Sequence, residues 1–366
     1  MKIKSRAPGK LILIGEYAVL KGAPALVMAV DKFATVEIEP HSNEYFRIDA
    51  PDLDISNKDF KVQEDGSIVF KEKPSELQRQ HLKFFANSIQ VVWNYLNKNG
   101  IQSLPITHIN LDTSNFFDDN THKKLGLGSS AALTAALIGG LLKYYLPSFD
   151  LSNKQSLILE LAITAHQMAQ GEIGSGVDLA ASVCGGILRY QIQNHQFKQP
   201  PLIEELTLPG NLHIFPVSTG ESASTKIFVE KFNQANLENS AKMKELVKQM
   251  SLSSTSAIKN IKKKEVGKFL NLTKTYYEQL KILGELCDLP IISTKHQKIA
   301  EIVYAEGAVY KPSGAGGGDF GIIFCDSKES IGKIESQLLR EGFRVMPVHI
   351  DYQGIRIVIK EDYPNG

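Results

Sequence analysis

Residues Lys123 to Ala132 read Lys-Lys-Leu-Gly-Leu-Gly-Ser-Ser-Ala-Ala and run into the largely apolar stretch Leu133 to Leu146. Glycine bends the backbone where other residues cannot and lets an anion approach the amide nitrogens closely. A helix start leaves those amides unpaired and carries partial positive charge. Ser129 and Ser130 add hydroxyls that can cap the helix, bind a phosphate oxygen or ligate magnesium. Two glycines, two hydroxyls and a helix start in one place point to a cradle for a polyphosphate. The competing interpretation is a buried helix entered through a tight Gly-Ser turn, a common arrangement before helices. The loop has neither the Gly-x-x-x-x-Gly-Lys-Ser/Thr of a P-loop nor the Gly-x-Gly-x-x-Gly of a dinucleotide fold.

Composition bounds what such a cradle could serve. A chain of 366 residues predicts about two domains. A hydrophobic content of 43% is enough for ordinary cores. The formal net charge is +1, from 41 basic and 40 acidic residues, which argues against a broad nucleic-acid or anionic-membrane surface. A local basic pocket stays compatible with that balance. Cys184, Cys287 and Cys325 are far apart and show no metal spacing or disulfide framework. They predict a reducing, cytoplasmic setting. The apolar run Leu11 to Gly15 is too short for a signal core and ends at Glu16. Leu125 to Leu142 carries no charge, but four glycines, two serines and a threonine interrupt it. It is expected to be a buried helix behind the loop and not a membrane span.

Periodicity orders the rest. Leu11 to Ile14 and Ala34 to Glu39 read as strands, the second by alternation. Asn43 to Ser75 is polar, with an Asp65-Gly66 turn between strand-like segments, and predicts a hairpin insertion. Leu77 to Asn99 is helical up to Gly100. Ile106 to Leu111 is a strand, Ser114 to Lys124 a polar loop, Gln155 to Gln170 a helix and Gly185 to Gln193 a strand. Asn194 to Glu205, with Pro200-Pro201, reads as the link to a second half. There, Glu238 to Leu286 is helical with a break near Ser251 to Ser256. A strand at Phe320 to Phe324, a helix at Lys328 to Arg340 and a strand pair around Arg344 to Ile350 and Ile355 to Ile359 follow. Such runs suggest α+β layers.

The loop resembles the central motif of the GHMP kinases, the superfamily of galactokinase, homoserine kinase, mevalonate kinase and phosphomevalonate kinase. Ala7-Pro-Gly-Lys-Leu-Ile-Leu-Ile-Gly-Glu-Tyr-Ala-Val-Leu20 resembles its first motif, and Lys311-Pro-Ser-Gly-Ala-Gly-Gly-Gly-Asp-Phe-Gly321 its third. Three motifs in order over most of the chain make the resemblance specific. It implies an α+β two-domain fold, with an N-terminal α+β domain (1–205) carrying the phosphate loop. The C-terminal domain (206–366) is implied to be ferredoxin-like and to carry the glycine-rich loop, with the active site between them. A fourth segment, Ala165-His-Gln-Met-Ala-Gln-Gly-Glu-Ile-Gly-Ser-Gly-Val-Asp-Leu-Ala-Ala-Ser-Val-Cys-Gly-Gly-Ile-Leu-Arg-Tyr190, resembles phosphomevalonate kinases of the fungal and plant type. So do Tyr17, where mevalonate kinases usually carry histidine, and Ser222-Ala-Ser-Thr-Lys226.

The resemblance implies ATP and magnesium as cofactors and 5-phosphomevalonate as the acceptor, in a monomer or homodimer. Lys124 and the run Gly126, Leu127, Gly128, Ser129, Ser130 and Ala131 would hold the nucleotide phosphates, with Ser130 on the magnesium. His166 stands where mevalonate kinases place a second, glutamate metal ligand, and it is not assigned to the metal. Lys10 would reach the transferred phosphoryl group as a point charge. Asp178 would act as base, orient the acceptor or pair with Lys10; the alternative is an N-cap for the helix after Gly176. Glu16 is expected to partner a basic group. Tyr17, Ser175, Gly176, Ser313, Gly314, Ala315 and Gly316 would line the acceptor side. The glycine density of the third motif suits an anion nest that closes over the phosphates. Arg189 and Lys226 are either contacts to the acceptor's phosphate or surface charges. Mevalonate kinase, another small-molecule kinase of the superfamily and a non-catalytic ligand-binding member are the competing functions. Intact Lys10, Ser130 and Asp178 argue against the last.

Overall fold

A computed structural model of the chain describes residues 1–118, 123–171, 174–193, 199–221, 223–238, 240–327, 329 and 331–360. Parts of the polar loop at 114–124, the link at 194–205, the segments 165–190, 222–226 and 238–286, and the helix start at 328 lie outside these residues. The first half contains strands β1 (Lys2–Ile14), β2 (Ala25–Pro40), β3 (Phe46–Ala50), β4 (Ile55–Val62) and β5 (Ile68–Phe70). Helix α1 (Glu76–Lys98) and strand β6 (Thr107–Asp112) follow, then α2 (Ser129–Tyr145), α3 (Gln155–Gln170), α4 (Val177–Cys184), β7 (Ile187–Gln191) and β8 (Leu202–Leu206). The second half contains β9 (His213–Ser218), α5 (Thr225–Leu237), α6 (Ala241–Lys262), α7 (Val266–Cys287), α8 (Thr294–Ala305), β10 (Val309–Ser313), β11 (Phe320–Cys325), α9 (Ile331–Arg340), β12 (Arg344–Val345) and β13 (Arg356–Lys360).

Two sheets result. The larger runs β13-β1-β2-β6-β3-β4-β5, with β7 and β8 branching from β2. The branch is possible because β2 is long: Ala25 to Met28 pair with β7, while Thr35 to Pro40 pair with β6. The smaller sheet runs β10-β11-β9-β12 and is antiparallel throughout. Between Leu206 and His213 the chain passes from one sheet to the other, and β13 returns it to the edge of the first.

Local chemistry sets the helices nearest the cleft. Ser75 accepts from the amide of Gln78 while the Gln78 side chain accepts from the amide of Ser75. This capping box starts α1 at the expected place. Helix α2 is buried along nearly its whole length, and small residues let it lie against the sheet. A Cβ at Gly139 would fall 2.4 Å from the Ile355 side chain, and one at Gly140 would fall 3.2 Å from Ser5. Among the described residues, no helix is long and apolar enough to cross a membrane.

Four expectations are corrected. The strands Leu11 to Ile14 and Ala34 to Glu39 are the ends of longer strands whose other residues are held by pairing. The link after Asn194 contains β8, which pairs with β7 from Leu202 onward, past the prolines. Helix α6 runs unbroken through Ser251 to Ser256. The Ser254 and Thr255 hydroxyls donate to the Ser251 carbonyl, Ser254 also reaches the Pro24 carbonyl, and Ser253 accepts from Gln279. Hydroxyls satisfied this way are tolerated inside a helix, and the interruption falls at Lys264, with φ +59°. The last two strand segments do not pair with each other: β12 pairs with β9 and β13 with β1.

Candidate active site

A cleft of about 380 Å³ opens where the start of α2, the start of α4, β1 and the glycine-rich loop after β10 converge. The phosphate loop lies against β1, with the Lys10 amide donating to the Leu127 carbonyl at 2.8 Å. Gly126 (φ +68°) and Gly128 (φ +82°) hold the left-handed backbone that turns the loop into α2. Each also faces a close neighbour. A Cβ at Gly128 would meet the Lys10 side chain at 3.1 Å, and one at Gly126 would fall 2.3 Å from the Asp319 carboxyl carbon. Gly128 is the N-cap and no side chain caps the helix, so its first-turn amides have no intrahelical partner. Ser129, Ser130, Lys124, Gly126 and Gly128 line the cleft. Leu127 and Ala131 are buried behind it, contributing backbone.

Ser130 Oγ lies 3.4 Å from His166 Nε2 on α3. The His166 ring packs on Phe84 at 4.8 Å between centroids. Burial pushes this imidazole down to about 4, with Asp178 opposing, so it is neutral near pH 7. A neutral nitrogen donor is a poor partner for magnesium, which prefers oxygen. Among the described residues, no group of three or more His, Cys, Asp or Glu could hold a metal ion. A lone Ser130 hydroxyl fits an ion carried chiefly by phosphate oxygens and water.

Lys10 reaches the cleft floor from β1, only 6% exposed. Its Nζ lies 3.5 Å from Asp178 Oδ2. Asp178 sits in the first turn of α4, where the helix dipole favours an acid; Gly176, not Asp178, is the N-cap. Tyr190 donates to the Ser175 carbonyl at 2.5 Å, fixing the turn that presents Ser175, Gly176 and Asp178.

The third wall is pinned to the others. Lys311 and Glu16 form a fully buried ion pair, so the basic partner expected for Glu16 is Lys311. Desolvation raises the Glu16 carboxyl and lowers the Lys311 ammonium, and each opposes the effect on the other. Ser313 Oγ accepts from the Ile12 amide at 2.9 Å and donates to the Ile12 carbonyl. Tyr17, with φ +61°, donates its hydroxyl to the Ala315 carbonyl at 2.5 Å. Gly317 donates to Ile291, and the Gly318 carbonyl faces His296 Nε2 at 3.1 Å.

 Loop carbonyls and amides, more than side chains, are what these contacts hold in place.

Most of the residues expected at the site meet here. Lys10, Tyr17, Ser175, Gly176, Asp178, Lys226, Gly314 and Ala315 line the cleft with the phosphate loop. Ser313 and Gly316 stand behind it, Ser313 at the end of β10 bonded to Ile12 of β1 and Gly316 packed against Ile291. Arg189 is a correction: its guanidinium donates to Gln191 Oε1 at 2.5 Å on β7, outside the cleft lining. Strand alternation sends it away from the loop that its motif neighbours approach. Phe84, His166, Gln170, Thr225 and Asp319 also line the cleft without having been assigned to it. His166, Gln170 and Thr225 fall in motif segments quoted above and Asp319 closes the third glycine run, whereas Phe84 lies in none of them.

Residues 87–186 match the family model described as GHMP kinases N terminal domain. Over that stretch the chain is similar to the GHMP kinases. It is 29% identical to the phosphomevalonate kinase of Streptomyces sp. (strain CL190), over 90% of this chain and 91% of that one. It is 28% identical to the mevalonate kinase of Thermococcus onnurineus (strain NA1), over 98% of each. Among solved structures, the Lin0012 protein of Listeria innocua superposes with a TM-score of 0.82 at 25% identity, covering 98% of this chain and 99% of that one. The Streptococcus pneumoniae phosphomevalonate kinase in complex with phosphomevalonate and AMPPNP shares the fold, with a TM-score of 0.75 at 20% identity, over 96% and 99%.

Proposed function

We propose that this chain transfers the γ-phosphoryl group of ATP to 5-phosphomevalonate, giving 5-diphosphomevalonate in the mevalonate route to isoprenoids. The observation that carries the reading is the Lys10–Asp178 pair, 3.5 Å apart, set in one cleft with an uncapped helix start. Phosphoryl transfer asks for positioning and charge neutralisation more than covalent help. Lys124 and the amides of Gly126 to Ala131 hold the β- and γ-phosphates, and Lys10 neutralises charge on the group in transfer. Ser130 would hold magnesium, which when bound screens the phosphate charge. Asp178 orients the acceptor and Lys10. A phosphate monoester, with a second pKa of about 6, arrives largely ionised and asks no base of Asp178. Lys226 faces the acceptor's phosphate, and Tyr17 serves the acceptor side through the loop it holds. The units 1–205 and 206–366 contribute opposite walls, in a cytoplasmic monomer or homodimer.

Mevalonate kinase is the second reading, supported by the Thermococcus mevalonate kinases that align over nearly the whole chain. The two differ in the acceptor: a hydroxyl would need Asp178 as a true base. Purified protein with ATP and magnesium is offered mevalonate, 5-phosphomevalonate, galactose and homoserine, and ADP release is followed. The proposal expects the highest kcat/KM with 5-phosphomevalonate. A higher value with mevalonate transfers the assignment to the second reading, and no release with any acceptor favours a non-catalytic ligand binder.

A further inference from the structure

Gly316, Gly317 and Gly318 run consecutively through the loop between β10 and β11, the first two with φ of +77° and +78°. Glycine loses more backbone freedom on ordering than any other residue. Such a run keeps one shape only where something outside it does the holding. Its entry is tied to the first half of the chain, by Ser313 on Ile12 and by Tyr17 on the Ala315 carbonyl. Its exit is tied within the second half. Gly317 donates to the Ile291 carbonyl at 2.9 Å, and the Asp319 carbonyl accepts from both the amide and the hydroxyl of Thr219. The peptide between Gly318 and Asp319 is gripped at both ends. Its N–H donates to the Glu221 carbonyl at 2.6 Å, and its carbonyl faces His296 Nε2 at 3.1 Å.

His296 lies in the first turn of α8, with no exposed surface and outside every motif quoted above. Its backbone amide donates to the Ser293 hydroxyl that caps the helix. Its Nδ1 is 2.7 Å from the Tyr310 hydroxyl, which occupies the space over Gly321 and leaves no room there for a Cβ. A carbonyl only accepts, so Nε2 donates to Gly318 and Nδ1 accepts from Tyr310. An apolar side chain could fill the same volume at no polar cost, whereas a buried polar ring is stable only when paired. One of the two pairs that His296 makes is with the loop whose Gly314, Ala315 and Asp319 line the cleft.

We propose that His296 is a positioning residue for phosphoryl transfer: through its bond to the Gly318 carbonyl it holds the glycine-rich loop in the arrangement that receives the acceptor. The inference rests on the phosphoryl-transfer reading. His296 stands outside the cleft lining and touches no substrate; it acts through one peptide of the loop.

Two amides separate the two ring nitrogens. His296→Asn can accept from Tyr310 in place of Nδ1 but has no atom where Nε2 stands, so the Gly318 carbonyl loses its donor. His296→Gln reaches that carbonyl with a donor and keeps an acceptor for Tyr310. His296→Leu is the second loss variant should Asn fail to fold. Each is assayed with ATP, magnesium and whichever of 5-phosphomevalonate and mevalonate the wild type turns over better. Stranding a buried acceptor shifts the loop's equilibrium by about tenfold, and apparent affinity falls with the fraction of loops held ready. The Asn variant should therefore raise KM for the acceptor about tenfold with kcat within about threefold of wild type. The Gln variant should return KM to within about threefold. A ring that only supports the core gives a different pattern: fewer folded molecules lower the apparent kcat and leave KM alone. That pattern, an unchanged KM in the Asn variant, or a Gln variant no better than Asn overturns the inference and leaves the kinase reading intact. A wild-type protein that turns over neither acceptor overturns both.

Discussion

His296 carries the most quantitative consequence of the fold. Its ring is fully buried, with Nδ1 2.7 Å from the Tyr310 hydroxyl and Nε2 3.1 Å from the Gly318 carbonyl. A carbonyl only accepts, so Nε2 carries the proton and Nδ1 accepts from Tyr310. Burial holds this imidazole down at about 4, against an ordinary 6.5. The unfolded chain therefore takes up the proton first as pH falls. The neutral ring's contribution is complete above pH 6.5 and is lost progressively as pH falls toward and through 4. At about 1.4 kcal/mol per pH unit of difference, the loss amounts to about 3 kcal/mol. His296→Leu isolates this contribution, because a second buried imidazole, His166, is common to both proteins. At pH 7.5 the variant leaves the Gly318 carbonyl and the Tyr310 hydroxyl without partners, at ~1–3 kcal/mol each. Unfolding free energies from urea titrations at pH 7.5, 6, 5 and 4.5, followed by circular dichroism, give the difference between the proteins. That difference should shrink by most of about 3 kcal/mol between pH 7.5 and 4.5. A gap that stays constant, or widens on acidification, refutes the neutral buried ring.

The buried Glu16–Lys311 pair predicts an asymmetry. Lys311→Met alone should cost about 3–5 kcal/mol by stranding a carboxylate, and adding Glu16→Gln should restore most of it; a double variant no more stable in urea than the single one contradicts the pairing. Asp178→Asn should lower kcat with 5-phosphomevalonate by about 10²-fold, the lower end of what a general base contributes. A loss beyond about 10⁴-fold, with wild-type turnover of neutral mevalonate, points instead to proton abstraction from a hydroxyl. Ser130→Ala should raise the magnesium concentration needed for half-maximal activity while leaving the circular dichroism spectrum unchanged, and wild-type magnesium dependence in that variant removes Ser130 from the metal site.

What could be read directly in the chain was local. Helix α1 begins at a capping box and α3 spans the residues its periodicity marks, because caps and apolar spacing act within a few residues. The phosphate loop was legible for the same reason: glycines, hydroxyls and a helix start are contiguous. The three motifs in order made the GHMP kinase fold readable before any coordinates. Other features depend on partners far along the chain. Glu16 and Lys311 are 295 residues apart, and nothing near either marks the other. Arg189 falls within a matching motif, yet its strand faces it toward Gln191. The run Ser251 to Ser256 reads as a break until packing supplies partners for the Ser253 and Ser254 hydroxyls. Only the meeting of the two sheets puts the Asp319 carboxyl over Gly126. Burial and charge pairing are decided by which surfaces come together, and local spacing holds no record of that.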